Sequence, residues 1–396
     1  MISLIKKSLQ IELHTFLREV SKSHTSISNS AFNQARMKIK PELFKHFISF
    51  LNKEFYSDND ERVKLWKGHR LLGCDGSTLT LPITKELKKK YSHFVNGHTT
   101  DVLIARTSIL YDLENEMVLD GKLAPFSEGE RQLAISLFQG LKKSQFKELI
   151  ILDRGYPSYE MIYEMEQLNL DYVMRIKPSF GKLTVEFMNS NLIELITEIK
   201  PVIPHRKVNL IKKLFFKNKA IKIRLIKVLL ESGEVEVLVT SLLNQTKYPL
   251  GEFKDLYFKR WGIETLYDKL KNKLLIEQFT GYAEASILQD FYCTLFLSNI
   301  QSLLTSEAND ELKMNNIKDT KYEYKINTNL SIGFIKTRLI ELFSEQNHTE
   351  NTLTELEALF IKNLIPIRPN RTFKRNTLKY RKRKKPPITK NFKQAF

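Results

Sequence analysis

Cysteine is nearly missing from this 396-residue chain: Cys74 and Cys293 are the only two. Two cysteines so far apart give neither a disulfide framework nor a zinc quartet. Tryptophan is equally scarce, with only Trp66 and Trp261. Long hydrophobic runs are lacking too. The most apolar stretch, 291–304, is broken by Thr294, Ser298, Asn299, Gln301 and Ser302, short of the roughly 20 residues a membrane span needs. The start, MISLIKKSLQIELH, has no long apolar stretch of the secretory kind. The expectation is a reduced, cytoplasmic protein without a membrane partner. The motif inventory is short as well. P-loop, spaced-glycine dinucleotide turn, His-Glu-x-x-His, Cys-x-x-Cys and Gly-x-Ser-x-Gly are all absent.

What is present is basic charge, and it is unevenly placed. The chain has 63 Lys and Arg against 45 Asp and Glu, for a formal net charge of +18. Residues 366–396 hold 12 Lys and Arg and no acid, and residues 177–227 hold 12 basic and 3 acidic groups. Residues 1–67 hold 12 and 7, whereas 68–176 with 228–365 carry net −8. Separate basic segments around an acidic body point to a polyanion partner. A solvated basic surface is the plainer alternative.

Apolar periodicity sketches the organisation. Leu9, Leu13, Phe16, Leu17 and Val20 recur at helical spacing, and 41–55 puts Leu43, Phe44, Phe47, Ile48 and Leu51 on one side. Residues 1–67 are therefore expected to be a helical DNA-binding region, or else a cap packed on the core. From residue 70 the texture is strand-like: 71–75, 102–111, 117–124, 148–152 and 172–176. Ser127 and Glu130 have capping-box spacing for a helix reaching 141, and a second helix is expected over 159–168. This order predicts an α/β fold with one mixed sheet. A basic, β-rich insertion is expected over 178–245, with strands at 221–230 and 235–242. Helices are expected over 252–275, 283–304 and 332–343, with a polar loop over 309–329. The domain reading is 1–67, a core of 68–177 with 246–308, the insertion 178–245, a helical C-terminal region 309–365, and a basic tail 366–396 that is extended or disordered until it meets a partner.

The candidate chemistry is carboxylate chemistry. Asp75 and Asp153 each follow a short apolar run, where a charge is costly unless paired or metal-bound. Each also reads as an ordinary strand exit. On a helix, Tyr257, Arg260, Glu264 and Lys271 fall at roughly 0°, 300°, 340° and 320°, within about 60° of one stripe. Such a stripe suits phosphate: Arg offers a planar fork and Lys a point charge. An exposed helix carrying an Arg260–Glu264 pair is the alternative. Two Asp and one Glu are hard oxygen donors for divalent ions, which can serve both ends of a phosphoryl transfer.

These residues stand in blocks that resemble the DDE transposases of bacterial insertion sequences, in the insertion-sequence-four family with its Tyr-x2-Arg-x3-Glu-x6-Lys signature. Tyr257, Arg260, Glu264 and Lys271 match that spacing without a gap. Cys74-Asp75-Gly76-Ser77-Thr78-Leu79 through Pro82 is similar to the block of the first Asp. Leu152-Asp153-Arg154-Gly155-Tyr156 is similar to that of the second, and Val173-Met174-Arg175 and Val239-Thr240-Ser241-Leu242 are weaker landmarks. The resemblance spans about residues 70–285.

It implies a ribonuclease H-like core, with Asp75, Asp153 and Glu264 as catalytic and metal-binding triad. The implied cofactor is Mg²⁺, with Mn²⁺ as a substitute, as two ions. Tyr257, Arg260 and Lys271 are implied at DNA near the scissile bond. Partners would be double-stranded DNA, both the terminal inverted repeats and the target, and a second copy of the chain in a DNA-bound homodimer. The activity would be cut-and-paste, with water attacking first, then the freed 3′-hydroxyl, often through a hairpin. The setting would be bacterial cytoplasm, at the nucleoid. Some members stack a flipped base on a Trp of the insertion. None lies in 178–245 here, where Phe180, Phe187, Phe215 or Phe216 offer an aromatic face. Further DNA contacts are expected at Arg154, Arg175, Arg36, Lys38, Arg381, Lys382, Arg383, Lys384 and Lys385. The alternative function is a catalytically silent DNA-binding protein derived from a transposase, acting as a repressor or end-binding factor.

Overall fold

The computed structural model describes residues 8–21, 26–57, 62–91, 93–94, 102–177, 180–200, 220–230, 233–314, 322–344 and 349–367. Three helices come first: α1 (Leu9–Ser21), α2 (Asn29–Arg36) and α3 (Glu42–Ser57). Ser28 caps α2 by accepting from the Ala31 N–H. Next come β1 (His69–Leu81), α4 (Lys85–Lys90), β2 (His93–Phe94), β3 (Val102–Asp112), β4 (Met117–Pro125), α5 (Glu130–Phe138), β5 (Lys147–Leu152), α6 (Tyr159–Gln167) and β6 (Asp171–Ile176). The expected capping box does not form. Gly129 is the N-cap of α5 and makes no side-chain cap bond, while Glu130 is drawn to Arg106.

Helix α7 (Lys182–Asn189) leads to β7 (Glu194–Ile199), β8 (Ile221–Leu229) and β9 (Val235–Thr240). These three strands are no separate β unit. β9 pairs antiparallel with β6, β8 with β9 and β7 with β8, so they lengthen the main sheet. That sheet has nine strands, ordered β2-β3-β1-β5-β6-β9-β8-β7, with β4 also on β3. β1 is parallel to β5, and β5 to β6, while β3 runs antiparallel to β1.

The chain continues through α8 (Phe253–Phe258), α9 (Trp261–Asp268), α10 (Glu284–Met314), β10 (Glu323–Ile326), α11 (Thr328–Ser344), α12 (Thr349–Lys362) and β11 (Leu364–Ile367). The expected loop over 309–329 is thus largely replaced. α10 runs on to Met314, and β10 pairs with β11. α12 falls within the helical region expected over 309–365, whereas β11 carried no sequence signal. Residues 368–396, most of the basic tail, lie outside the described residues.

Helices cover both sheet faces. On one face, Leu137, Phe138, Met161 and Met165 of α5 and α6 bury Leu72, Ile150 and Tyr172. On the other, Ile263 and Leu266 of α9 meet Ile109, Phe291 and Leu295, and Phe253 and Leu256 of α8 meet Leu149, Val173 and Leu238. α3 belongs to this second layer: Phe44, Ile48, Asn52 and Tyr56 are buried, and Asn52 donates to the Val118 carbonyl. Among the described residues no helix is long and apolar enough to cross a membrane.

Candidate active site

The register of two parallel strands builds the site. Gly73 of β1 pairs with Ile151 of β5. Two residues further along each strand stand Asp75 and Asp153, so both aspartates reach the same edge from strands about 4.8 Å apart. β5 ends at Leu152, and Asp153 is its exit residue, as expected. Asp75 is not an exit. β1 runs on to Leu81, because β3 continues to pair with it from Ser108 opposite Gly76 to Leu103 opposite Leu81. The end of β5 therefore leaves a notch beside a β1–β3 ribbon, with Asp75 at its floor.

Burial dominates the acidity of Asp75, which is pushed up to about 6. The Gly76 N–H, 2.8 Å from Oδ1, and the Arg260 guanidinium pull the other way, while Asp153 and Glu130 add to the rise. A cation bound between the two aspartates would offset this cost of burying the Asp75 charge. Tyr156 of the second Asp block places its hydroxyl 3.5 Å from Asp75 Oδ1.

The helix that carries the other candidates is not continuous. α8 stops at Phe258, Lys259 and Arg260 form a turn, α9 follows, and Lys269–Lys273 is a π-turn. Tyr257, Arg260 and Lys271 address the notch, and Glu264 pairs with Arg260. Tyr257 Oη lies 3.4 Å from Asp153 Oδ1. Arg260, only 7% exposed, donates from Nη2 to Glu264 Oε1 at 2.9 Å. Its charge also acts on Asp75 and Asp153, and its buried Nε has no partner. Lys271 Nζ donates to Ser77 Oγ at 2.8 Å and to the Thr78 carbonyl at 2.9 Å, two and three residues beyond Asp75. A glycine lets α9 come this close: a Cβ at Gly73 would stand 2.9 Å from Leu113 Cδ2 and 3.4 Å from Ile263 Cβ.

Glu264 therefore faces Arg260, and among the described residues no three His, Cys, Asp or Glu side chains gather as a metal cluster. The donor set still fits a hard divalent cation. Asp75 and Asp153 are paired oxygen donors whose mutual repulsion such an ion relieves, and Glu264 is a third within one helical turn of their shared cation, Arg260.

The other expected contacts divide. Arg154 and Lys38 are exposed. Arg175 is half-buried and paired with Glu236 at 2.6 Å. Arg36 is a correction: it is 1% exposed, and its guanidinium bonds Gln289 Oε1, Thr280 Oγ1, the Ser286 carbonyl and Asp290 Oδ1. A cation spent inside the fold does not meet DNA. Phe187 is corrected too, since at 2% exposed it packs in the core and cannot stack a base. Phe180 is partly buried there as well. Phe215, Phe216 and Arg381, Lys382, Arg383, Lys384 and Lys385 lie outside the described residues. Sequence reasoning missed Tyr267, whose hydroxyl reaches the Asp75 carbonyl, and Glu236 and Glu130, both electrostatically linked to the aspartates. Tyr267 lies three residues past Glu264 and so on its face, a signal that was available.

The family described as "Transposase DDE domain" matches residues 66–300, more than half of the chain. No curated protein matches it in sequence. Solved structures similar to it include a piggyBac transposase synaptic complex with hairpin DNA, at 9% identity and a TM-score of 0.39, covering 72% of this chain and 57% of that one. A pre-cleavage Mos1 transpososome is similar at 13% identity and a TM-score of 0.19, covering 68% and 70%. The chain thus spans little more than half the length of the piggyBac relative.

Proposed function

The chain belongs to the transposase DDE-domain family, and from that membership and its own geometry we propose that it is a DNA transposase of the insertion-sequence-four kind. It cuts out an insertion sequence and joins it to target DNA by metal-dependent phosphoryl transfer. The observation that carries this reading is the register that sets Asp75 and Asp153 side by side at the notch, with the Tyr257–Arg260–Glu264 helix against them. The strand order β4-β3-β1-β5-β6, with β3 antiparallel and β5 and β6 parallel to β1, supports a ribonuclease H-like core.

Asp75 and Asp153 would hold Mg²⁺ ions, with Glu264 as the third ligand. A bound divalent ion supplies a lowered pKa for an attacking hydroxyl and charge for the leaving oxygen. The chain's own side chains do the rest. Arg260, anchored by Glu264, offers its guanidinium charge to a phosphate beside the scissile bond. Tyr257 holds the Asp153 carboxylate through its hydroxyl, at the place where the DNA end would lie. Lys271 lays its charge along the β1–β3 ribbon. Double-stranded DNA, as terminal repeats and as target, is the partner, and a homodimer that brings both ends together is the assembly.

The test is cleavage of duplex DNA carrying the element's terminal inverted repeats, with Mg²⁺. The wild-type chain is expected to cut, and Asp75→Asn, Asp153→Asn and Glu264→Gln to bind without cutting. Cutting by all three variants would refute the site. Wild-type protein that binds the repeats and leaves them intact would establish the silent, end-binding alternative.

A further inference from the structure

The notch has a second charged wall that the signature residues do not account for. Arg175 lies on β6, one strand beyond Asp153, on the face shared by Val173 and α8. It pairs in register with Leu238 of β9, and Glu236 lies two residues from Leu238, hence on the same face. The two side chains meet there, Arg175 Nη1 to Glu236 Oε1 at 2.6 Å. Glu234 Oε1 stands 3.6 Å from Nη2, but its side chain is 65% exposed and holds little.

Glu236 is out of place by simple electrostatics. It is 8% exposed, and burial raises its pKa, Arg175 lowers it, and Glu234 and Asp153 raise it further. A carboxylate within the field of Asp153 repels the phosphate this site is read as taking. Its geometry supplies the compensation. A guanidinium held at Nη1 by a buried carboxylate is fixed in orientation, and the exposed Glu234 near Nη2 can give way to a stronger acceptor there. Leu152 of β5 pairs with Met174 of β6, so Arg175, the next residue, stands beside Asp153, whose carboxylate Tyr257 reaches at 3.4 Å.

We propose that Glu236 is a positioning residue that fixes Arg175 beside Tyr257 as a phosphate clasp for the bound DNA strand, one strand of the sheet beyond Asp153. This rests on the reading of Asp75 and Asp153 as the DNA-cutting pair. It extends the site across β6 onto β9, so the continuation of the sheet contributes directly to substrate grip.

The test is binding of the full chain to a labelled mixed-sequence DNA duplex, in EDTA to prevent cutting, across a salt series. Arg175→Ala is expected to reduce the slope of log affinity against log salt by about 0.9, one phosphate contact. Glu236→Ala is expected to weaken binding and reduce the slope by a similar amount, although it deletes a negative charge. Glu236→Gln keeps an oxygen acceptor and is expected to restore the wild-type slope. The double Ala variant is expected to be no weaker than Arg175→Ala alone. Tighter binding or an unchanged slope in Glu236→Ala would overturn the proposal, because a mere negative charge behaves that way. Should Glu236→Ala not fold, Arg175→Lys decides. It keeps the cation without the fork, and wild-type affinity in it would overturn the clasp. Wild-type protein that shows no salt-dependent binding removes the DNA-cutting reading as well. Wild-type binding with indifferent variants removes only the role of Glu236.

Discussion

The hydroxyl of Tyr267 donates to the backbone carbonyl of Asp75 at 2.9 Å. Tyr267 sits one turn after Glu264 on α9, so this bond ties the helix of the third carboxylate to the strand of the first. Tyr257 does the same at the other end of the helical run, toward Asp153. The two tyrosines hold the signature helix across both aspartates.

Tyr267→Phe is expected to lower the single-turnover cleavage rate about fivefold, on the scale of one hydrogen bond of roughly 1 kcal/mol. DNA affinity is expected to stay at wild type. The measurement is cleavage rate beside a melting curve, and an unchanged rate would show that the bond does not align Asp75.

Gly73→Ala tests how closely α9 must approach. The new methyl meets Leu113 and Ile263, and overpacking of this kind costs about 1–3 kcal/mol. Cleavage should fall by more than the loss of folded protein explains, since the displaced helix carries Glu264 and Arg260. Urea unfolding and cleavage measured on one preparation separate the two effects.

Arg36→Met should destabilise the fold by about 3–5 kcal/mol, the cost of stranding one charge of a buried pair. Arg36 and Asp290 are 1% and 2% exposed. DNA affinity per folded molecule is expected to be unchanged. A large loss of affinity without loss of stability would return Arg36 to the DNA surface.

Lys269 is expected to be a liability. It is 6% exposed and donates to the Ser298 carbonyl and Ser302 Oγ, and burial brings its pKa down to about 8, with Glu116 opposing and Lys273 adding. Between pH 8 and the ordinary lysine value the unfolded chain keeps a proton that the folded chain has lost. Wild-type stability should therefore rise with pH through that window. Lys269→Met should flatten the rise and add about 1–3 kcal/mol at neutral pH. Melting curves from pH 7 to 10 check both.

Local signals carried much of the fold. The apolar runs of β3, β4, β5 and β6 are dense and bounded by turns, and they stand where periodicity puts them. Asp153 after β5 was legible for the same reason. Asp75 was misplaced as a strand exit because Gly76-Ser77-Thr78 looks like a turn, and only the pairing with β3 keeps it extended. The attachment of β9 to β6 is likewise a matter of register between distant segments, which no local pattern reports. Arg36 follows a polar helix start and looks like a DNA-reading residue. Its acid lies 254 positions away. The run from Tyr257 to Lys271 is interrupted by a turn and a π-turn, yet Tyr257 still reaches Asp153, Lys271 still reaches Ser77, and Arg260 pairs with Glu264.

That same separation sets a schedule for synthesis of the chain. α2 is among the first segments to leave the ribosome, but the group that neutralises Arg36 follows 254 residues later. At about 5–20 residues per second, the gap lasts roughly 13–50 s. Throughout it α2 lacks its partner on α10, although α3 can already dock on β4, and a ribosome that stalls before Asp290 leaves α2 exposed to proteases and chaperones. The Arg36–Asp290 pair closes only after Asp75, Asp153 and Glu264 have all been made, so docking of α2 reports that the whole site has been translated.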